Sequence, residues 1–395
     1  MKGKDWLIGC GIALGCLILL IIIGGYLAYR FYVVPKMQAF MGPTSATPGV
    51  LVGAGSLTQT TFYADPRLDS ITDIAFGELD SAPGSEIGIA GSDGAVLLDK
   101  RLKVKRTVLF PSDAARVVFI DLQHDGVCEY LSRGSWSHQA SVLKHDGSVL
   151  WKYGGSPGVD DTCAGDVNRN GALEFAVGFN GGGGVHLLDD RGRKLWQMPD
   201  ANVWHIEMTD VNGDRAPEIV HSNAGGQMTV RDARGAIISQ ARPGAPAPAG
   251  TAAKPAARGI YFSHFSLCHW PAANSAVYAL SAGENALWLL DFKGGAVARF
   301  DAPKCGVLGE PWGTLVKLKA NQPPYLAVVV AYPTGVASVL CIYDRARKLV
   351  YQEVLGEPCA AIAAMTVGQS GAQALLVGGG GRVLKYEAAP AQAAP

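Results

Sequence analysis

A short acidic loop recurs along this chain at a nearly constant interval, and this repeat constrains the fold more than any other feature. Residues 166–174 read DVNRNGALE, and related stretches begin at residue 210 (DVNGDRAPE), residue 121 (DLQHDGVCE) and residue 78 (ELDSAPGSE). In chain order these four loops begin 43, 45 and 44 residues apart. Such a period indicates repeated supersecondary units that stack on one another.

A second signature repeats in phase with the first. The stretches LKHDGSVLW (143–151) and LDDRGRKLW (188–196) align without gaps, and their glycines each lie 26 residues after the opening aspartate of the preceding acidic loop. Each unit is therefore interpreted as strand, acidic loop, strand, glycine hairpin, strand, turn and strand. A period of about 40–50 residues with four short strands per unit is typical of a β-propeller.

The predicted fold class is all-β, a seven-bladed β-propeller preceded by one N-terminal transmembrane helix. The 50 glycines fall mostly between short apolar runs, and apolar residues make up 48% of the chain, which fits many turns around a large core. Residues 57–64 are expected to close the ring as a strand of the last blade, and residues 389–395 to form a disordered tail. The predicted blades are about 70–111, 112–156, 157–200, 201–258, 259–306, 307–353 and 354–388.

The N-terminus is the part of the sequence that resembles a membrane segment. Residues 6–29 are 24 uncharged residues, more than the roughly 20 that span a bilayer as a helix. Residues 1–30 are therefore predicted to be a transmembrane anchor and residues 31–56 a juxtamembrane linker. A cleaved signal peptide would have a shorter apolar core, and too little apolar sequence precedes Cys10 or Cys16 for a lipoprotein.

The charges that flank this anchor bear on its orientation in the membrane. Lys2 and Lys4 precede it, and Arg30 and Lys36 follow it, so the positive-inside rule decides little. We favour a cytoplasmic N-terminus, which makes the chain a single-pass membrane protein with its propeller outside the cytoplasm, in the periplasm or at the cell surface. The six cysteines of the propeller would permit disulfides there, with free buried thiols as the alternative.

Charge and motif content exclude several function classes. The formal net charge is zero, so the chain lacks the basic footprint of a nucleic-acid-binding protein. The sequence contains no HExxH and no CxxC motif, and no serine is placed in a nucleophile elbow of the GxSxG type. Each of the eight scattered histidines is interpreted as a surface residue or a core residue with its polar atoms satisfied.

The acidic loops carry the candidate metal site. Calcium prefers six to eight oxygen ligands, and oxygen-bearing side chains at positions 1, 3 and 5 of a tight turn can point inward together, with a carboxylate at position 9. The first loop lacks a position-5 oxygen because Ala82 stands there. Calcium is predicted as a structural cofactor of the other three. The candidate ligands are Asp166, Asn168, Asn170 and Glu174; Asp210, Asn212, Asp214 and Glu218; and Asp121, Gln123, Asp125 and Glu129.

A metal-free interpretation of the same loops stays open. Aspartate side chains frequently accept hydrogen bonds from backbone amides within a turn, and such caps need no cation. In one candidate loop Arg215 replaces the position-6 glycine and must either adopt an unusual backbone conformation or shift the turn.

The two signatures resemble known repeats. DVNRNGALEF and DVNGDRAPEI are similar to the calcium loops of FG-GAP/VCBS repeats, the blade units of integrin-α-like propellers, and LDDRGRKLW is similar to the turn of quinoprotein (PQQ) repeats. The resemblance covers about residues 70–245 well and 259–388 by rhythm. It implies structural calcium in the loops and a packing role between blades for Trp151 and Trp196.

Function is expected to be non-catalytic. The chain is predicted to be a membrane-anchored, calcium-stabilised binding or scaffold module, with a protein or glycan as its ligand, because propellers present broad rigid faces built from loops. The alternative is a propeller enzyme, either a polysaccharide lyase or a quinone-dependent dehydrogenase. The absence of a convergent catalytic set and of a vicinal cysteine pair weighs against it.

Overall fold

The computed structural model describes residues 47–390, apart from residues 83, 135–136, 244–259, 271–275, 284–285, 303–308 and 332–336. The first fourteen strands are β1 (Gly49–Val52), β2 (Leu57–Ala64), β3 (Ile71–Gly77), β4 (Glu86–Gly91), β5 (Gly94–Leu98), β6 (Val104–Leu109), β7 (Val117–Ile120), β8 (Glu129–Ser132), β9 (Ser137–Leu143), β10 (Val149–Gly165), β11 (Glu174–Phe179), β12 (Gly184–Leu188), β13 (Lys194–Met198) and β14 (Ile206–Thr209). The next fourteen are β15 (Glu218–Ser222), β16 (Met228–Arg231), β17 (Ile237–Ala241), β18 (Phe265–His269), β19 (Val277–Gly283), β20 (Ala286–Leu290), β21 (Ala296–Asp301), β22 (Glu310–Val316), β23 (Tyr325–Ala331), β24 (Ser338–Tyr343), β25 (Leu349–Leu355), β26 (Ala361–Val367), β27 (Ala372–Gly378) and β28 (Arg382–Ala388).

These strands form six antiparallel sheets. Four sheets have four strands each, in the orders β3-β4-β5-β6, β14-β15-β16-β17, β18-β19-β20-β21 and β2-β28-β27-β26. A fifth sheet has the order β1-β25-β24-β23-β22, and the sixth has seven strands in the order β13-β12-β11-β10-β9-β8-β7. Strand β2, near the start of the described chain, pairs with β28, so the sheet of the last strands is completed from the other end.

The predicted count of seven separate blades is wrong. Five sheets are blades of four or five strands, whereas the second and third predicted blades are joined in one sheet. The cause is β10, a single strand of 17 residues. Its beginning pairs with β9, from Val149 opposite Leu143 to Gly154 opposite Gln139, and its end pairs with β11, from Val159 opposite Phe179 to Gly165 opposite Glu174.

The predicted transmembrane helix at residues 6–29 lies outside the described residues. Within the part of the chain that the structure describes, no helix is long and apolar enough to cross a bilayer. The helical segment found there is the three-residue 3-10 turn Asn180–Gly182, far short of the roughly 20 residues needed. The prediction of a single-pass membrane protein with an extracytoplasmic propeller is therefore contradicted and is not carried further.

The core lies between neighbouring sheets. One apolar cluster joins Leu280 and Leu289 of one sheet to Val328, Val339 and Cys341 of the next. The same arrangement recurs around the molecule, because inner strands such as β5, β20 and β24 are buried on both faces and must be covered twice. The first strand of one repeat contacts the first strand of the next. These contacts join β10 with β14, β14 with β18, β18 with β22, β22 with β26, β26 with β3 and β3 with β7. The sheets therefore radiate from a common centre.

The glycine hairpins repeat one hydrogen-bonding scheme between the third and fourth strands. Asp189 Oδ1 accepts the amides of Arg191 and Arg193, and Asp99, Asp232 and Asp291 do the same in their turns. Three residues after the aspartate the backbone is left-handed, with φ 75° at Gly192, which favours glycine. The aspartate and the glycine of this signature are thus fixed by turn geometry.

Candidate functional site

The three predicted calcium loops occupy equivalent places, each between the first and second strands of a repeat. Their closing glutamates, Glu129, Glu174 and Glu218, are buried and accept the amide of the second loop residue at 3.0, 3.0 and 2.8 Å. Their opening aspartates accept further amides: Asp125 and Gly126 donate to Asp121, Asn170 and Gly171 to Asp166, and Gly213 and Arg215 to Asp210.

The residues at positions 3 and 5 of these loops form further hydrogen bonds within the same loop. Asn168 Nδ2 donates to Glu174 Oε1 at 2.5 Å, and Asn212 Nδ2 donates to Glu218 Oε1 at 2.6 Å. Position 5 caps a later amide in each loop: Asp125 accepts Val127 N, Asn170 accepts Ala172 N, and Asp214 accepts Ala216 N. Arg215 has the left-handed conformation, φ 74°, that its place in the turn required.

The structure therefore brings each predicted ligand set together within its own loop, and the loops remain separate sites. Among the described residues, no group of three or more His, Cys, Asp or Glu side chains is arranged to hold a metal. The loop oxygens already accept amide hydrogen bonds, and in two loops an asparagine NH2 group faces the closing glutamate where a cation would have to approach. The loops are complete as metal-free turns, and calcium binding stays a prediction.

A buried charge cluster lies where the first strands of several repeats begin. We use this name for the six residues Arg116, Arg133, Asp161, His205, Glu207 and Glu310. Arg116 precedes β7, Asp161 lies in β10, Glu207 lies in β14 and Glu310 begins β22. Because these strands surround the centre of the molecule, side chains that are far apart in sequence meet there.

Asp161 is the best-connected member of the buried charge cluster. Its side chain is fully buried, and Arg133 donates to both carboxylate oxygens at 3.0 Å. The amide of Ile206 donates to the same carboxylate at 3.1 Å, and His205 Nδ1 lies 2.5 Å from Oδ2. The Nη2 group of Arg133, which donates to Asp161, also donates to Glu207 Oε1 at 2.9 Å. Asp161 thereby ties β10 to the neighbouring strand β14.

The second half of the cluster spans the centre. Arg116 forms an ion pair with Glu310, a residue 194 positions later in the sequence. His205 Nδ1 lies 3.7 Å from Glu310, and His205 Nε2 lies 3.4 Å from Glu207. Neither ring nitrogen is aligned for a hydrogen bond with the described residues, so these contacts are ion pairs.

The pKa values of the cluster follow from burial and charge. Burial favours neutral His205, but the attraction of the Asp161 and Glu207 carboxylates outweighs it and raises the pKa of His205 to about 9. Burial would raise the pKa of Asp161, yet Arg133 and His205 hold it well below its usual range. The pKa values of Glu207 and Glu310 are likewise lowered against burial, chiefly by Arg133 and Arg116 respectively. At neutral pH three cations therefore face three anions.

Sequence reasoning missed this cluster, because its members share no local motif. The sequence did contain one signal that could have revealed the cluster, which is a histidine at the same position of two repeats. His205 and His264 occupy equivalent positions, each 17 residues before a serine, Ser222 or Ser281, whose hydroxyl donates back to its carbonyl. The rings of the two histidines lie 6.3 Å apart. Burial lowers the pKa of His264, so it stays neutral beside charged His205.

A polar cleft of about 520 Å³ lies between the sheet β3-β4-β5-β6, which we call the first sheet, and the seven-stranded sheet. We define the polar cleft by Asp80, Lys105, Arg106, Gln123, Asp125, Glu129 and His145. It contains three of the four predicted metal ligands of the loop at 121–129. Its volume falls within the range of about 300–1,000 Å³ that is usual for ligand sites.

Comparisons with known proteins show the fold. No protein-family model and no curated protein matches the chain. Two crystal structures of BBS1N in complex with ARL6DN, soaked with lead and with mercury, match it with TM-scores of 0.53 and 0.56. In both, sequence identity is 12%, and the match covers 85% of this chain and 98% of that chain. The WD40 domain of Neurospora crassa Pan2 gives a TM-score of 0.46 at 13% identity, covering 85% of this chain and 96% of that one.

The predicted β-propeller is confirmed by the radiating antiparallel sheets and by the BBS1N match. The chain is a β-propeller repeat protein. The comparisons do not confirm the resemblance to FG-GAP/VCBS or PQQ repeats, which stays a prediction.

Proposed function

We propose that this β-propeller is a non-catalytic module that binds a partner protein on a rigid frame. The observation that best supports a non-catalytic role is the buried charge cluster, in which every charged group faces an opposite charge. Such a set holds strands together and leaves no charge free for a substrate. The same proposal favours a protein over a glycan as ligand, because the polar cleft presents charges of both signs.

Acid–base chemistry does not fit the cluster. A general base must be largely deprotonated near the working pH, and a general acid largely protonated. His205, with a pKa of about 9, is protonated at neutral pH, and the carboxylates of Asp161 and Glu207 are ionised. These states would suit an acid and two bases, but efficient proton transfer needs pKa values near the working pH. The ion pairs hold the pKa of His205 above neutral pH and those of the two carboxylates well below it. This argument supports binding over catalysis.

The fold comparison supports the same function. BBS1N, whose fold this chain shares, was crystallised in complex with ARL6DN. Propellers offer loops on a scaffold that moves little, and preorganised surfaces lose less entropy on binding. We add the calcium of the acidic loops to this proposal as a brace for the loops at 121–129, 166–174 and 210–218.

The test uses the purified full chain as bait for proteins of its source cells. Each retained protein is then made separately, and its dissociation constant is measured by calorimetry. We expect at least one to bind with a Kd below about 10 μM. Because the cleft is charged, that binding should weaken as salt is raised from about 0.05 to 0.5 M. If no purified candidate binds below about 100 μM, the proposed function is wrong.

A further inference from the structure

The polar cleft exists where the regular packing between hairpins changes. In two hairpins a tryptophan stands seven residues after the turn's first residue, and its indole covers the next turn. Trp151 Nε1 donates to Asp190 O at 3.1 Å, and Trp196 Nε1 donates to Ala233 O at 2.9 Å. A Cβ on Gly192 would lie 2.8 Å from the ring of Trp151.

Arg106 holds the equivalent position in the first sheet. It pairs with Leu97 across the hairpin as Trp196 pairs with Leu187, each seven residues after the hairpin's aspartate. The corresponding residues of the other three hairpins are Ser239, Ala298 and Tyr351. Among the residues at these six equivalent hairpin positions, Arg106 is the charged one. Its side chain lines the polar cleft, which a tryptophan at this position would fill.

The two cations of the cleft differ in their partners. Lys105 Nζ is bound by Glu86 at 2.6 Å and Asp80 at 3.1 Å, so its charge is balanced within the protein. The guanidinium of Arg106, in contrast, has no hydrogen bond or ion pair with the described residues. A guanidinium carries five donors in a planar fork that matches a carboxylate, and here that fork is available to a ligand.

The rest of the lining selects the kind of anion. Asp80, Asp125 and Glu129 also face the cleft, and they would repel a compact polyanion such as phosphate. A peptide segment with a single carboxylate meets Arg106 while its amides and any basic neighbour meet these acids. Gln123 and exposed His145 add groups that can donate to or accept from a peptide backbone.

We propose that the polar cleft binds an extended, carboxylate-bearing peptide segment of the partner, with an aspartate or glutamate of that segment paired to Arg106. This inference rests on the proposed protein-binding function and adds its location and chemistry. It also explains why the first sheet lacks the tryptophan that both hairpins of the adjoining seven-stranded sheet carry, since an indole at position 106 would occupy the site.

Three variants of the full chain separate binding from folding. Arg106→Gln removes the charge and leaves the cleft open, whereas Arg106→Trp restores the residue of the neighbouring hairpins and closes it. Arg234→Gln is the matched control, because Arg234 is exposed in another hairpin and only its backbone amide is used there. Thermal melts establish that each variant is folded before binding is measured.

The probe is a random linear peptide library displayed on phage and selected on the full chain. We expect selected peptides to contain an acidic residue whose change to the amide weakens binding about 10- to 100-fold. Arg106→Gln should cost as much, and the two changes together no more than either alone, because they remove one shared interaction. Arg106→Trp should abolish binding, and Arg234→Gln should leave it unchanged.

Two results would overturn the inference. Selected peptides that bind Arg106→Trp as tightly as the wild type would place peptide binding elsewhere on the propeller, so the cleft would be excluded while the binding function stood. A library that yields no enriched sequence on a folded chain would exclude the cleft as a peptide site. The proposed function is judged separately, by the purified partner.

Discussion

Charged side chains are used in opposite ways at the centre of this propeller and in the cleft between its first two sheets. In the buried charge cluster, Asp161 is fully buried and has Arg133, His205 and a backbone amide around it. In the polar cleft, Lys105 is paired but Arg106 has no such partner among the described residues. Buried charges must be satisfied from within, whereas a charge beside solvent can be left for a ligand. Pairing therefore distinguishes the structural site from the binding site.

The largest expected contrast is in stability. Asp161→Ala leaves Arg133 and His205 buried without their shared anion, and breaking a buried ion pair typically costs about 3–5 kcal/mol. Arg106→Gln removes no side-chain hydrogen bond or ion pair to the described residues and should change the free energy of unfolding by less than about 0.5 kcal/mol. Urea unfolding at neutral pH measures both variants against the wild type. Equal losses would show that pairing does not separate the two regions.

A pH series tests the centre alone. The pKa of His205 is about 9 in the folded chain and about 6.5 when unfolded, so its contribution is fully present below pH 6.5 and is lost as pH rises through 9. The shift corresponds to about 3 kcal/mol. The stability difference between the wild type and His205→Gln should therefore shrink between pH 6 and pH 10. A difference that stays constant would mean that His205 is neutral in the fold.

The third contrast lies between equivalent positions of two hairpins. Trp151 is partly buried, packs edge-on against Phe175 with ring centres 4.9 Å apart, and covers Gly192. Trp151→Ala should cost about 2 kcal/mol, below the 3–5 kcal/mol of a fully buried aromatic ring. Arg106→Ala, seven residues into its own hairpin, should cost far less. Thermal unfolding of both variants decides, and similar losses would mean that Arg106 also packs between sheets.

The sequence predicts the repeated turns because each depends on residues close together in the chain. The Asp–Gly hairpin at 189–192 and the acidic loop at 166–174 are held by hydrogen bonds spanning two to seven residues, so their residue types recur visibly. It does not predict the cluster, because Arg116 and Glu310 are 194 residues apart and meet only once the sheets surround a common centre. The blade count failed for a similar reason. The stretch GGSPG at 154–158 has the composition of a turn, yet β10 runs through it as one strand of 17 residues that pairs with β9 at its beginning and with β11 at its end.

Arg106 shows a second limit of sequence reasoning. The alignment of LKHDGSVLW with LDDRGRKLW drew attention to the tryptophans that are present. The informative residue stands in the first sheet, where the tryptophan is missing and the hairpin has Leu102, φ 61°, in place of glycine. A departure from a repeat can be recognised only when the register of every unit is known, and the strand pairing supplies that register.

Calcium should have the smallest effect, and it sharpens the comparison at the cleft. The loops at 166–174 and 210–218 are already complete through amide hydrogen bonds, so a cation can add only its own binding free energy. For a site of millimolar affinity, saturating calcium should raise the melting temperature by roughly 1–2 °C. Asp166→Ala and Asp210→Ala should each reduce that rise, and Asp189→Ala, in a hairpin outside the loops, should not. Identical melts in calcium and in chelator would remove calcium from the proposal and leave asparagine–glutamate hydrogen bonds as the brace of these loops. In that case Asp125 and Glu129 would line the polar cleft without a bound cation, and their negative charge would attract a basic residue next to the acidic one on Arg106.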